Sequence, residues 1–402
     1  MITSLHAWVT MLMLTMRVVN QKGDNMRILT LLIVLIFTLQ AKETLYLNLP
    51  SAYPSKKTET SFGKELIRLI NQSQKEIQFA IYGLRGQDEI LLALIDAKKR
   101  GVKIQGVVDS DSHGKNYYED THRLYELFDI KSDHKSSIMH NKFFVFDRKI
   151  VWTGSSNISD TGTGGYNANN VVVIEDKTVA KIYHEEFEQM FDDNHFNSKK
   201  KATLYTGIKT SDSIITLSFS PKSSTYENCI ESLIRDSKKY IYIPIFYLTH
   251  KPLSQELIAA HKRGVEIKVI LDASAAKNKY STHTILREEG IEVKVENFGG
   301  KMHAKSMIID DRFIISGSMN FTKAGESKND ENTVIIENAL LAKQYKEHFI
   351  ELWRHIPKRY LKIDPSPEGF ESGNSCFDGI DNNFDKAIDN QDPHCQKNSW
   401  FN

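Results

Sequence analysis

The sequence predicts an α/β fold made of two copies of one unit, and four observations predict it. Short apolar runs rich in Val, Ile and Phe alternate with longer stretches of helical periodicity, the pattern of strands covered by helices. A polar motif, His140-x-Lys142, four residues, Asp147, recurs as His303-x-Lys305, four residues, Asp310. Gly154, Ser155 and Asn157 recur as Gly317, Ser318 and Asn320, each pair again 163 positions apart. Plain text recurs at the same interval, Lys99-Arg100-Gly101-Val102 against Lys262-Arg263-Gly264-Val265.

The first copy opens near Phe62, where Leu66, Ile67, Leu69 and Ile70 mark one face of a helix. Residues 77–82 read as a buried strand, 91–100 as a helix closed by Gly101, and 102–108 as a strand ending at Asp109. A helix is expected over 121–129, strands over 137–147 and 150–153 around the motif, a strand over 171–175 and a helix over 182–191. The second copy repeats the order: helix 229–235, strand 240–247, helix 257–263 ended by Gly264, and strand 265–271 ended by Asp272. Residues 192–206 read as the junction, with Lys199-Lys200-Lys201 a solvated linker. The expected organisation is a first repeat over 42–198, a second over 199–362 and a tail over 363–402.

A net charge of +1 and a pI of about 7.7 exclude a strong global field that would recruit nucleic acid. Residues 1–41 read as a signal peptide, with Met26 as the natural start. The apolar stretch 28–39, after Met26-Arg27, is shorter than the roughly 20 residues a membrane-spanning helix needs. Export to the periplasm or the medium follows, with an uncleaved membrane anchor as the alternative. Three cysteines do not make a disulfide scaffold. Cys376 and Cys395 lie close together in the tail and are expected to pair in an oxidising compartment, whereas Cys229 reads as a buried helix residue.

In His-x-Lys the two side chains share one face of a strand, because the strand period is two. An imidazole beside an obligate cation suits a negatively charged substrate: the lysine binds oxygens while the imidazole attacks or transfers a proton. A core histidine with a snorkelling lysine would be competitive for one copy. Two copies with matching polar positions in register argue against it.

These residues resemble the paired signature of the phospholipase D superfamily, over roughly residues 60–355. The run Asn320-Phe321-Thr322-Lys323-Ala324, followed by Asn329-Asp330-Glu331-Asn332, is most similar to the family's bacterial nuclease branch. The resemblance implies two α-β-α sandwich repeats related by a pseudo-twofold, with one active site at their interface. It also implies a covalent phosphohistidine and no catalytic metal. His140 is then the nucleophile and His303 the acid and base, or the reverse. Lys142, Lys305, Asn157 and Asn320 hold the phosphate oxygens. Asp147 and Asp310 read as structural, with Ser155 and Ser318 as supporting groups. With an ordinary pKa near 6.5, both imidazoles exchange protons around neutrality. In the nuclease branch a residue like Glu331 orients a histidine; its place in the first repeat is taken by Asn169-Asn170. Asn170 is the supporting residue expected there, so the two histidines are inequivalent and the first half's orienter is left open.

The substrate is a phosphodiester, either a phospholipid that loses its headgroup or a nucleic acid; a non-catalytic binding module is the remote third reading. Export and low net charge favour lipid and contact with a membrane surface, while the text from Asn320 to Asn332 favours nucleic acid. Both motifs lie on one chain, so a monomer is expected. In the tail, Asp381, Asn383, Asp385, Asp389 and Asp392 have spacing like that of a calcium loop, although Lys386 stands where a glycine is usual. A solvated acidic tail stapled by Cys376 and Cys395 is the alternative.

Overall fold

Four consecutive residues, Phe143-Phe144-Val145-Phe146, are all buried. Alternation sends Phe143 and Val145 to one side and Phe144 and Phe146 to the other, so their sheet is covered on both faces. The computed structural model describes residues 43–112, 118–134 and 137–396. The signal-peptide reading of residues 1–41 lies outside the described residues. Among the described residues no helix is long and apolar enough to cross a membrane.

In chain order the first half runs β1 Glu43–Leu47, α1 Ser61–Gln72, β2 Glu76–Ile81, β3 Leu84–Arg85, α2 Asp88–Lys99, β4 Lys103–Val108, α3 Thr121–Leu127, β5 Asp129–Ser132, β6 Phe143–Phe146, β7 Ile150–Gly154, β8 Ile158–Ser159, β9 Asn170–Glu175 and α4 Lys177–Phe191. The second runs β10 Thr203–Lys209, β11 Ile214–Ser220, α5 Glu231–Asp236, β12 Tyr240–Ile245, α6 Lys251–Lys262, β13 Glu266–Leu271, α7 Ala273–Ala276, α8 His283–Glu288, β14 Glu292–Val295, β15 Met307–Ile309, β16 Phe313–Gly317, α9 Lys323–Ser327, β17 Glu331–Glu337 and α10 Ala339–His355.

The sheet orders are β1-β9-β7-β6-β2-β4-β5 and β10-β11-β17-β16-β15-β12-β13-β14. Without the edge strand β10, the second order is the first one again. In both, the strand at the centre pairs in parallel with its neighbour towards one edge, β2 with β4 and β12 with β13. It pairs antiparallel with the motif strand on the other side, β6 or β15. One apolar core lies between the sheets and joins the halves: Phe143, Val145, Tyr183 and Phe187 share it with Ile308, Val334, Tyr345 and Phe349. Helices α1 and α2 cover the outer face of the first sheet, and α5 and α6 that of the second.

The 163-residue register is kept by α2 and α6, by β4 and β13, and by β7 and β16. It slips by one after the motif. Gly154 pairs with Val171, but Gly317 pairs with Thr333. Asn169 is therefore the counterpart of Glu331, and Asn170 of Asn332. A Cβ on Gly154 or Gly317 would lie 2.2 Å from the carbonyl oxygen of Asn170 or Asn332, so the close approach of these strands excludes a side chain.

Two expectations change. The motif strand is shorter than 137–147: it begins at Phe143, and His140, Asn141 and Lys142 lie outside it. Their segment pairs across to the other half instead, through a single bridge between Met139 and Asp330. Nor is the Lys run wholly a solvated linker. Lys200 is buried, its ammonium bonded to Glu186, to Asp330 Oδ1 at 2.9 Å and to the Ser220 carbonyl at 2.9 Å. The buried Asp330 carboxylate needs a cation, and the junction supplies it. Cys376 and Cys395 are joined, and Cys229 is a buried free thiol whose pKa burial pushes up to about 11.

The motif aspartates act on the backbone. Asp147 stands at φ 50° in the turn between β6 and β7, and its carboxylate accepts the N–H groups of Gln74, Lys75 and Glu76 at 3.0, 2.8 and 3.0 Å. Asp310, at φ 57°, does the same for Lys238, Lys239 and Tyr240 at 2.6, 2.7 and 2.9 Å. Each staples the start of a central strand to the motif hairpin. Asp147→Ala is expected to cost about 1–3 kcal/mol, since three N–H groups lose a part-exposed acceptor and alanine is strained at positive φ. Urea unfolding measures it; a loss under about 0.5 kcal/mol, the range of ordinary surface substitutions, would refute the staple.

Candidate active site

Each His-Lys pair belongs to one half and is held by the other. His140 N–H donates to the Asp330 carbonyl at 2.8 Å, and Asp330 N–H to the Ile138 carbonyl at 3.0 Å. In mirror fashion, His303 N–H donates to the Ala168 carbonyl at 2.9 Å, and Ala168 N–H to the Lys301 carbonyl at 2.8 Å. The strand ends pin the same segments from behind. Asp109 accepts Met139 N–H at 2.7 Å, and Asp272 accepts Met302 N–H at 3.1 Å. Burial foremost, with Asp133 nearby, pushes the Asp109 carboxyl up to about 7.

The ring contacts also cross. His140 Nδ1 lies 2.8 Å from Glu331 Oε2, and His303 Nδ1 lies 3.0 Å from Asn169 Oδ1. Glu331 thus serves the first half's histidine. Ser318 donates to Glu331 Oε2 at 2.6 Å, and Ser155 to Asn169 Oδ1 at 2.9 Å. Asn170 does not reach a ring: it bonds Ser316 and accepts from Ser306 at 2.9 Å, as Asn332 Nδ2 donates to Thr153 at 2.7 Å. The ammonium groups turn back onto their own motifs, Lys142 Nζ to the His140 carbonyl at 2.8 Å and Lys305 Nζ to the His303 carbonyl at 2.6 Å. Tyr82 packs edge-on to His140 with ring centroids 6.0 Å apart, and Phe246 stands 5.2 Å from His303.

Electrostatics separate the two imidazoles. Burial lowers the pKa of His140, opposed by Glu331. Burial, then the cations Lys305 and Lys142, hold His303 well below the usual histidine value, with no carboxylate to offset them. Burial brings Lys142 down to about 7 and Lys305 well below its ordinary range. Burial pushes Glu331 up, but His140, Lys142 and the Ser318 hydroxyl outweigh it and keep the carboxyl ionised. The result is two lysines and two imidazoles out of water, with Glu331 the carboxylate that touches a ring and Asp109 and Asp272 acting on the lysines from behind, a site with room for further negative charge.

A cleft of about 690 Å³ opens over His303 and Asn157, walled by Tyr82, Arg85, Phe246 and Lys301. Asn157 Oδ1 has no hydrogen-bond partner among the described residues, whereas Asn320 Oδ1 accepts Tyr247 N–H at 3.3 Å. The tail forms one side of this cleft, through Gly379, Asp381, Phe384 and Ile388. Its five expected calcium ligands accept backbone N–H groups, and Asn383 Nδ2 also donates to Asp385 Oδ2 at 3.2 Å and to Asp392 Oδ2. Asp381 accepts from Asp385 and Lys386 N–H, Asn383 from Asp385 N–H, and Asp385 from Ala387 N–H. Asp389 accepts from Asp378 and Gly379 N–H, and the buried Asp392 from His394 N–H. Among the described residues no group of three or more His, Cys, Asp or Glu side chains is arranged to hold a metal ion.

Sequence reasoning missed Asp109, Asp272, Tyr82, Phe246, Asp330 and Lys200. Only the two aspartates carried a signal, standing 163 apart at matching strand ends.

The family described as "Cardiolipin synthase, PLD-like domain" matches residues 66–191 and 230–353. The chain is 34% identical over 150 residues to a phospholipase D of Rickettsia bellii, covering 37% of this chain and 74% of that one. It is 29% identical over 141 residues to a mitochondrial cardiolipin hydrolase of Danio rerio, covering 35% and 62%. Its fold resembles the phosphatidylserine synthase of Haemophilus influenzae, with a TM-score of 0.60 at 16% identity over 81% of this chain and 90% of that one. Two matched segments, one around each crossed His-Lys pair, place the chain in the phospholipase D superfamily of phosphodiesterases.

Proposed function

We propose that the enzyme releases the headgroup alcohol from phospholipids through a phosphohistidine on His140. One observation carries this assignment of roles: the carboxylate of the site is on His140 and an amide is on His303. Glu331 accepts the Nδ1 proton of His140, which leaves the Nε2 lone pair for phosphorus. The bond from phosphorus to the alcohol oxygen breaks, and His303 gives that oxygen a proton. Water then attacks phosphorus, His303 takes its proton, and the P–N bond breaks. A bound phosphodiester anion raises the His303 value by supplying the negative charge missing from its side of the site. Lys142, Lys305, Asn157 and Asn320 hold the oxygens, so no step calls for a metal. The curated relatives' names and the apolar walls Phe246, Phe384 and Ile388 support a lipid. Export belongs to the same proposal, because a pair such as Cys376–Cys395 persists in oxidising compartments.

Nucleic acid is a second reading. A groove of about 1030 Å³ on the second half carries Tyr247, Lys251, Tyr280, Lys323 and Lys328, bases and rings of the kind that bind a single strand. Labelled phosphatidylcholine and single-stranded DNA, each with EDTA, separate the readings. Choline release undiminished by EDTA is expected; DNA cleavage without choline release would replace the lipid reading.

Glu331→Gln is expected to lower kcat by about 10⁴-fold, as the corresponding carboxylate-to-amide change does in a Ser-His-Asp triad. Glu331 raises the His140 pKa against burial, so its loss also moves the acid limb of kcat/KM to lower pH. An unmoved limb would remove Glu331 from this role.

The alkaline limb of affinity for a non-hydrolysable phosphodiester analogue, read as its Ki, is expected near pH 7, where Lys142 loses its proton in the free enzyme. Lys142→Arg, with a side chain that stays charged, should carry that limb upwards. A limb that stays in place would assign it to another group.

A further inference from the structure

The tail has its polarity inside out. Glu368, Ser372, Ser375, Asn382 and Asp392 are buried, while Phe377 is 65% exposed, Phe384 62%, Phe370 49% and Ile388 39%. Its interior is a polar hub: Glu368 accepts the N–H groups of Asn382 and Asp389 at 2.8 and 2.7 Å, around the Cys376–Cys395 bridge. Phe370 and Phe377 stand together, ring centroids 6.2 Å apart. Exposed apolar side chains grouped in this way mark an interaction surface.

The tail is also tied to the catalytic cleft. Lys301, two residues before His303, donates to the Asn382 carbonyl at 3.0 Å and lies 4.5 Å from the Phe384 ring. Tyr166 bonds Asp378. Gly373 runs so close to Gly299 that a Cβ there would lie 2.4 Å from the Gly299 nitrogen. Phe384 and Ile388 line the cleft itself, and Phe370 and Phe377 form a second exposed apolar pair on the same tail.

We propose that the tail docks the enzyme on a zwitterionic phospholipid surface, with Phe370 and Phe377 entering the interface. Charge selects this occupant. Residues 363–396 carry eight Asp and Glu against one Lys and no Arg. An anionic membrane repels such a patch, and so does a second copy of it across a twofold. A zwitterionic surface leaves the rings free to partition. The inference rests on the phospholipid reading above, because the same tail lines the cleft assigned to that substrate through Phe384 and Ile388.

Sedimentation of the full chain with phosphatidylcholine or phosphatidylglycerol vesicles, in EDTA, tests it. Wild type is expected to sediment with phosphatidylcholine and less with phosphatidylglycerol. Phe370→Ser with Phe377→Ser should lower phosphatidylcholine binding by about tenfold or more. Its turnover of a soluble short-chain phosphatidylcholine should stay at the wild-type rate, since neither ring lines the cleft. Phe377→Trp, which keeps the patch, should bind as wild type does and blue-shift its indole emission on phosphatidylcholine vesicles. Wild type that stays off these vesicles, prefers phosphatidylglycerol, or binds equally without the two rings overturns the docking. Sedimentation reads docking without turnover. Wild type that releases choline from the soluble lipid yet stays off vesicles overturns the docking alone, and vesicle binding without choline release overturns the lipid chemistry alone.

Discussion

The site depends on two backbone bridges that cross between the halves, Met139 to Asp330 and Met302 to Ala168. Each fixes the segment just before a histidine to the segment just before β17 or β9 of the other half. The residue following each bridge point, Glu331 or Asn169, is thereby placed against the opposite imidazole. Neither half contains a complete His-Lys site, because the group that sets each ring's tautomer arrives from its counterpart. The shared apolar core makes the arrangement rigid: Tyr183 packs on Phe143 of its own half and on Phe219 of the other.

Burying two lysines and two histidines together is costly unless something negative comes to meet them. The protein supplies Glu331 in contact with one ring, and Asp109 and Asp272 behind the motif segments. What charge is left unmet suits an anionic ligand, and the unlike partners make the repeats chemically different despite their common fold. In the mechanism proposed above, the carboxylate supports positive charge on His140 as it attacks, and the amide leaves His303 free to gain and lose a proton with the substrate's charge.

Much of the fold was legible because local chemistry sets it. Continuous apolar runs specify β6 and β15, Gly101 and Gly264 end α2 and α6, and Asp147 and Asp310 sit in tight turns. Lys200 was misread because three successive lysines look solvated, and nothing local reveals that Asp330, 130 positions away, is buried without another cation. The extent of the motif strand was misread for a related reason. Residues 140–142 have strand-like neighbours, but their backbone partner lies in the other half.

By itself the sequence determined the two-repeat α/β architecture and the six-residue signature in each half, since these follow from periodicity and from recurrence at a fixed interval. It also brought Asn169-Asn170 into view as the unlike counterpart of Glu331-Asn332, although Asn170 was the residue expected to support a histidine and Asn169 is the one that does. Only the tertiary structure decided which histidine each one serves, because a crossed contact between repeats leaves no trace in the spacing within either. Only the tertiary structure put the acidic tail at the mouth of the cleft with its rings outward. That placement depends on where Lys301, Tyr166 and Gly299 meet the tail in space, and no local pattern in the chain encodes it.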